Sequence, residues 1–456
     1  MVRSLFNYKN PFIWIIIHIG IGVVSVFSPF PLIVFFYLFF ILSIPYIFEK
    51  EKINSKLAFI IVYLSSFEII SRMAKSSPYI PYELGKYLMM FLLILGLFKK
   101  KQHKIIGISL FLLLLPSFFY DYSGFVDNSD IRFNVFGAIN IGLAVWYFYG
   151  KEFTPRGFKL IIILLVLPLI SSLSYTIIKT PDLASIDFNL GANFETTGGF
   201  GSNQVATVFG FGMLITFYLW LNKISLSGNK YFDLIFFILF TFQGLLSFSR
   251  GGIIGGVVGI LIVIYFLTRS SVSSLDNANI NQVKKFFIPG ILFLGMSAFT
   301  ANYLTNGLLL LRYQGETEGT LAGSKVKTLN TLSSDRISIV ESDLELLFDY
   351  GLLGVGAGAS KYLREDHRGV VAHVEASRLI AEHGIFGILF IVLIFYLFWV
   401  VYRMNNKNIF KGLLFSFLFL GWFTTFHAAT RTYITPLLIG ISLIQVINEK
   451  KITLPR

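Results

Sequence analysis

Apolar residues occupy this chain in long uninterrupted runs, separated by short polar stretches. Breaking the sequence at that punctuation gives fourteen runs, at residues 11–27, 30–48, 57–73, 86–98, 105–120, 133–149, 159–178, 204–221, 234–249, 251–267, 286–304, 385–402, 412–427 and 434–447. Runs of this kind are long enough to cross a hydrocarbon core roughly 30 Å thick as helix. Stretches such as 161–170 do not alternate apolar with polar positions, as the strands of a membrane barrel do, so helices must satisfy the backbone. The pattern predicts an all-α polytopic membrane protein with twelve to fourteen transmembrane helices. The pairs of runs meeting near Pro29 and Arg250 are alternatively re-entrant.

One long interval, about 305–384, contains no spanning run. It divides the chain into an N-terminal bundle of about eleven spans (1–304), a large loop (305–384) and about three C-terminal spans (385–456). Loops of this length are more often functional than merely connective. Within it, Ile337, Val340, Leu344, Leu347 and Phe348 recur at helical spacing behind the capping candidates Ser333, Ser334 and Asp335. Gly351, Gly354, Gly356 and Gly358 interrupt that helix, and a second helix is expected from about Val371 to Glu382, stopping at Gly384.

Composition agrees with the pattern. Hydrophobic residues make up 55% of the chain and charged residues 14%, where soluble domains carry roughly 25% charge. There is no cysteine, so no disulfide braces the loop. The first run follows Arg3 and Lys9 without a small-residue cleavage site and reads as a retained helix, not a cleaved signal.

The net charge of +13 resolves into sidedness. With the N-terminus inside, alternate connections hold 23 of the 38 basic residues and six of the 25 acidic ones, giving +17 inside and −4 elsewhere. Basic residues collect on the cytoplasmic side of membrane proteins. Both termini are therefore expected in the cytoplasm and the long loop outside, and the basicity is no nucleic-acid footprint. The loop itself holds 8 basic and 11 acidic residues, so any phosphate site there must be built from a few focused arginines.

Charged groups in or beside spans are costly and therefore informative. Glu68 and Arg72 lie one helical turn apart near the outer end of the third span, as a structural or functional pair. Arg250 stands in Ser249-Arg250-Gly251-Gly252 between two spans. It is either an interfacial anchor or a planar fork for phosphate, with glycines that permit close approach. Arg336 opens the first loop helix, where a cation opposes the helix dipole unless an anion such as Asp335 or a bound phosphate is near. His373 can accept a proton from a hydroxyl nucleophile, or be a solvated or capping residue. Glu375 and Glu382 flank Arg378 at pairing distance, as a salt-bridged face. Arg431 lies in the outer connection between the last two spans. The cluster Arg364, Glu365, Asp366 and His367 reads as a solvated loop in preference to a metal site, and no phosphate-binding glycine loop or paired metal-ligand histidines occur.

In order along the chain, four elements resemble the O-antigen polymerase and O-antigen ligase superfamily of bacterial envelope glycosyltransferases. They are Gly201-Ser202-Asn203-Gln204-Val205-Ala206 opening a span, Ser249-Arg250-Gly251-Gly252, Asp335-Arg336 before an amphipathic helix and Gly351-Leu352-Leu353-Gly354-Val355-Gly356, and His373 ahead of Gly384-Ile385-Phe386-Gly387. They cover about residues 200–390; Val374 departs from the Asn, Ser or Gln usual after the ligase histidine. The resemblance implies a GT-C-like enzyme of the bacterial inner membrane. It would work without metal or other cofactor, transferring glycan from a polyprenyl-diphosphate-linked oligosaccharide donor to a glycan acceptor at the outer face. It further implies that Arg250 and Arg336 stabilise the diphosphate and His373 serves the acceptor hydroxyl, with Arg72, Glu68, Arg431, Glu375 and Arg378 as secondary candidates. A chain-length regulator or a flippase is an implied partner beside the lipid bilayer. A polymerase is expected first, a ligase to lipid A core second. A lipid-linked glycan flippase is the alternative of another class, disfavoured because the candidates crowd at one face and no halves match.

Overall fold

A computed structural model describes residues 11–50, 52–99, 105–222, 225–269, 280–334, 336–372 and 374–447. Every one of the fourteen apolar runs is helical over at least part of its length. The helices before the long loop are α1 (Pro11–Ser25), α2 (Phe30–Ile47), α3 (Lys56–Ser65), α4 (Glu68–Met73), α5 (Leu84–Lys99), α6 (Ile105–Leu112), α7 (Asn128–Phe148), α8 (Pro155–Lys179), α9 (Ser202–Leu221), α10 (Lys230–Leu246), α11 (Arg250–Thr268) and α12 (Ile280–Leu304). The loop contributes α13 (Leu308–Tyr313), α14 (Glu318–Leu321), α15 (Leu329–Ser333), α16 (Arg336–Tyr350) and α17 (Ser360–Leu363), and the chain continues through α18 (Glu375–Arg403), α19 (Asn408–Thr424) and α20 (Ile434–Ile441). Strands β1 (Glu152–Phe153) and β2 (Gln445–Val446) form one short parallel pair.

Seven of the described helices are long and apolar enough to cross a membrane, and others, such as α19, are shorter apolar helices. The chain is thus a membrane-embedded helical protein. The expected third span is broken: α3 ends at Ser65, and α4 starts at Glu68. The Ser66 hydroxyl bonds back to the Val62 carbonyl at this point, a contact that competes with regular helix. The run at 105–120 likewise divides into α6 and a 3₁₀ turn at Pro116–Phe119, because proline cannot supply the next helical donor.

Local chemistry sets several helix starts. Asp127 accepts from the amides of Ser129 and Asp130 to cap α7, and Thr154 caps α8 with Pro155 at its first position. At the centre of the bundle, α8 and α9 are mostly covered by protein, whereas α2 and α12 leave most of their surface open to lipid. Helices α9 and α11 touch through glycine. A Cβ on Gly252 would sit 2.1 Å from the Ala206 carbonyl oxygen, and one on Gly210 would lie 1.9 Å from that of Gly252. Small residues let membrane helices approach this closely, and here the contact fixes the start of α11 against the start of α9.

α18 comprises two helices that meet in a kink at Gly384 (φ 56°, ψ −131°), where the loop helix ends as expected and the following span begins. Its amino-terminal part packs against α16, so loop and membrane bundle form one body.

Candidate functional site

Three arginines converge where α11 meets the loop. Arg250 is the first residue of α11. Ser249, immediately before it, donates to Asn203 Oδ1 at 2.7 Å, which ties this helix start to α9. Arg250 Nη1 donates to the Arg312 carbonyl at 3.1 Å and Nη2 to the Leu332 carbonyl at 2.6 Å. The guanidinium groups of Arg250 and Arg312 both reach Ser334 Oγ at 3.5 Å. Arg336 lies one turn of chain further, with Nη1 on the Ser333 carbonyl at 3.1 Å and Nη2 on the His427 carbonyl at 3.5 Å. Its Nε is buried with no hydrogen-bond partner among the described residues.

Ser334 takes a left-handed backbone conformation (φ 58°) as it closes α15, and this turn brings α15 and Arg336 back over Arg250. Among the described residues, none of the three arginines forms an ion pair with a carboxylate; their partners are carbonyls and one hydroxyl. Burial, aided by the positive charges of Arg250 and Arg336, pushes Arg312 down to about 10. Burial and the charge of Arg250 lower Arg336 as well. Three partly buried cations with carbonyl partners form a fork suited to a polyvalent oxyanion, since each guanidinium keeps further N–H donors.

An apolar groove of about 450 Å³ lies beside this cluster, lined by Ile253, Ile254 and Val257 of α11, Leu294 and Ala298 of α12, and Leu309 and Tyr313 of α13. Tyr313 follows Arg312 directly, and Ile253 is three residues from Arg250, so the groove and the cationic fork adjoin. The Tyr313 hydroxyl is buried without a partner among the described residues.

His427 completes the floor. Its ring lies under Gly251, where a Cβ would approach it within 2.5 Å. Nε2 is 3.0 Å from Thr207 Oγ1 and Nδ1 is 3.2 Å from the Phe423 carbonyl. Both ring nitrogens are therefore engaged.

Of the three principal candidates, Arg250 and Arg336 are brought together; His373 and Asp335 lie outside the described residues. The neighbours of His373 are firmly held. Arg431 Nη2 donates to the Ala372 carbonyl at 3.1 Å and to that of Val371 at 3.4 Å. On the other side, the Glu375 amide donates to the Thr425 carbonyl at 2.7 Å, and Thr430 Oγ1 donates to Glu375 Oε1 at 2.7 Å. The connection between α19 and α20 thus contacts both this segment and Arg336, through His427.

The secondary candidates form two buried networks. Glu68 pairs with Arg72 and accepts from the Tyr433 amide at 2.7 Å, while Arg72 donates to the Arg431 carbonyl at 3.1 Å. Arg72 also stacks against Tyr82, 4.6 Å from its ring centre. In the second network Arg378 bridges Glu375 at 2.5 Å and Glu382 at 2.7 Å and donates to the Asn134 carbonyl. Both expected pairings therefore form, and the trio is buried against α7.

Arg364 also departs from expectation. It is buried, donating to Asp343 Oδ1 and the Val370 carbonyl, each at 2.7 Å, while Glu365 and Asp366 are exposed. Asp343 Oδ2 accepts from Ser377 Oγ at 2.6 Å, and burial raises the Asp343 carboxyl above its ordinary range. Asp343 and Arg364 therefore pin α16 to α17 and α18. Among the described residues, no cluster of three or more His, Asp or Glu has a metal-binding arrangement.

Sequence reasoning did not single out Arg312 or His427. Arg312 was one cation among eight in the loop, and only packing against Arg250 distinguishes it. His427 did carry a signal, a polar ring at the end of an apolar run. Fold and site together define a membrane-embedded helical protein with a triple-arginine fork beside an apolar groove. Among known proteins, no family model and no curated sequence matches the chain.

Proposed function

We propose that this protein is a membrane glycosyltransferase that takes glycan from a polyprenyl diphosphate carrier, and that it acts as a surface-polysaccharide polymerase. The observation that carries this reading is the convergence of Arg250, Arg312 and Arg336 around Ser334, without a carboxylate partner among the described residues, beside an apolar groove. A polyprenyl diphosphate has both parts in one molecule: a polyvalent oxyanion for the fork and a hydrocarbon tail for the groove. The reading carries with it fourteen passages in a GT-C-like bundle of the bacterial inner membrane, cytoplasmic termini and a site on the outer face.

In the reaction, the bond between the anomeric carbon and the carrier's phosphate oxygen breaks as the acceptor hydroxyl forms the new glycosidic bond. Negative charge grows on the departing diphosphate, where preorganised guanidinium groups are most effective. The hydroxyl's proton passes to a base, and His373 has the appropriate chemistry. Arg431, through Ala372, holds the segment in which that histidine lies.

The test is direct. Purified protein incubated with lipid-linked repeat units is expected to produce a ladder of carrier-linked chains. Product formed only on added lipid A core would replace the polymerase by a ligase, and transport without covalent product would replace both by a flippase. Arg250→Ala, Arg336→Ala and His373→Ala are each expected to abolish the ladder while the protein stays monodisperse; full activity in all three would remove this site assignment.

A further inference from the structure

At the end of α16 remote from Arg336, four large apolar side chains stand open. Phe348 is 82% exposed, Leu352 73%, Leu353 51%, and Phe119, at the end of the 3₁₀ turn after α6, 86%. Isolated exposed hydrophobics need no explanation, but a contiguous set does. Hydrogen bonds draw together the segments that carry them. The Ile385 amide donates to the Leu352 carbonyl at 2.8 Å, and the Tyr120 hydroxyl bonds the Leu353 carbonyl. The Ala357 amide donates to the Ser117 carbonyl at 3.0 Å.

What covers this patch follows from where it is attached. Leu352 meets α18 at the Gly384 bend, where a Cβ on that glycine would fall 2.0 Å from the Leu352 carbonyl oxygen. Immediately past the bend α18 becomes an apolar span whose open face carries Ile385, Leu389, Val392 and Tyr396. The patch is thus continuous with the exposed apolar face of a helix long and apolar enough to cross a membrane. On α16 itself the exposed Glu341 and Glu345 precede Phe348 on nearly the same side, and the exposed Asp349 follows it, so the patch is bordered by carboxylates that can stay in water.

We infer that Phe119, Phe348, Leu352 and Leu353 form a lipid anchor inserted among the acyl chains of the adjoining leaflet. Taking such side chains out of water is favourable in proportion to the apolar area covered. The anchor fixes one end of a rigid helix of 15 residues whose first residue is Arg336. At about 1.5 Å per residue, that helix spans some 20 Å between the anchor and the arginine fork. Membrane contact therefore sets the position of Arg336 independently of which substrate the fork holds.

The cysteine-free sequence makes the test simple. Single cysteines replacing Phe348, Leu352 or Phe119 are spin-labelled in the full chain and reconstituted in nanodiscs. Ser324→Cys, in an exposed polar turn, is the water reference, and Val392→Cys on α18 is the lipid reference. At least two of the three labels are expected to show a ratio of oxygen to water-soluble nickel-complex accessibility several-fold above that of Ser324→Cys and near that of Val392→Cys. Ratios equal to the water reference would overturn the anchor. So would labels shielded from both reagents, which would mean that a second copy covers the patch. Neither result bears on the glycosyltransferase reading, which the ladder assay tests separately.

Discussion

The guanidinium of Arg250 donates to the backbone carbonyl of Arg312 at 3.1 Å, across 62 residues of chain. This bond brings two cations that no carboxylate pairs among the described residues into one site, where both reach the Ser334 hydroxyl. Such an arrangement is tolerable when carbonyl dipoles solvate the charges, and it becomes favourable when an anion arrives.

Arg312→Gln should therefore separate stability from activity. Removing one of three like charges relieves repulsion, so the ligand-free variant is expected to melt at the same temperature as the parent or higher. Its transfer rate should fall by about 10²–10³, the usual cost of losing one preorganised donor to developing charge. Arg312→Lys is expected to recover only part of the rate, because an ammonium cannot reproduce the planar fork. Melting curves and single-turnover transfer measure the two effects.

The pH dependence has a definite sign. Arg312 holds its proton only to about 10 in the folded chain, below the ordinary arginine value. Diphosphate affinity should decline as pH rises through about 10, and this decline should disappear in Arg312→Gln. Between those two values the unfolded chain binds more protons than the folded one, so this group's contribution to stability increases with pH there. Thermal shifts with and without pyrophosphate, measured across that range, check both statements.

Asp343 and Arg364 make a fully buried pair that fastens the loop to α18. Truncating one partner leaves the other charge buried, so Arg364→Ala should destabilise the protein by about 3–5 kcal/mol. Replacing both residues by apolar ones of similar volume should restore much of that loss. Denaturant unfolding in detergent decides; a loss of the size seen at exposed residues would contradict the burial.

Arg431 touches the carbonyls just before His373 and no described substrate-facing group, so it is a positioning residue. Arg431→Ala should lower kcat with little change in donor KM, and Arg431→Lys should rescue part of kcat by retaining one donor to Ala372. An equal rise in KM would instead make Arg431 part of the donor site.

Gly252→Val should fail by another route. Its Cβ would collide with the Ala206 carbonyl oxygen, a backbone atom that cannot rotate away. Overpacking typically costs about 1–3 kcal/mol, and here it also shifts Ser249 from Asn203. Loss of both melting temperature and transfer rate is expected, in contrast to Arg312→Gln, where only the rate falls.

The sequence by itself determined the helical class, the apolar segments and the loop helix beginning at Arg336, because hydrophobic runs and helical spacing are local properties. It also marked Glu68 with Arg72 and Arg378 with Glu375 and Glu382, whose pairing needs only one turn of helix. Tertiary structure decided what packing alone can decide. It broke the third span at Ser66, buried Arg364 in what read as a solvated loop, and buried Arg378 with Glu375 and Glu382 against α7. Above all, it gathered Arg312 and His427 around Arg250 and Arg336. Those four lie far apart in the chain, and their meeting depends on the glycine contact between α9 and α11 and on the turn at Ser334. A side chain's neighbours across such distances follow from how helices stack, which no local pattern encodes.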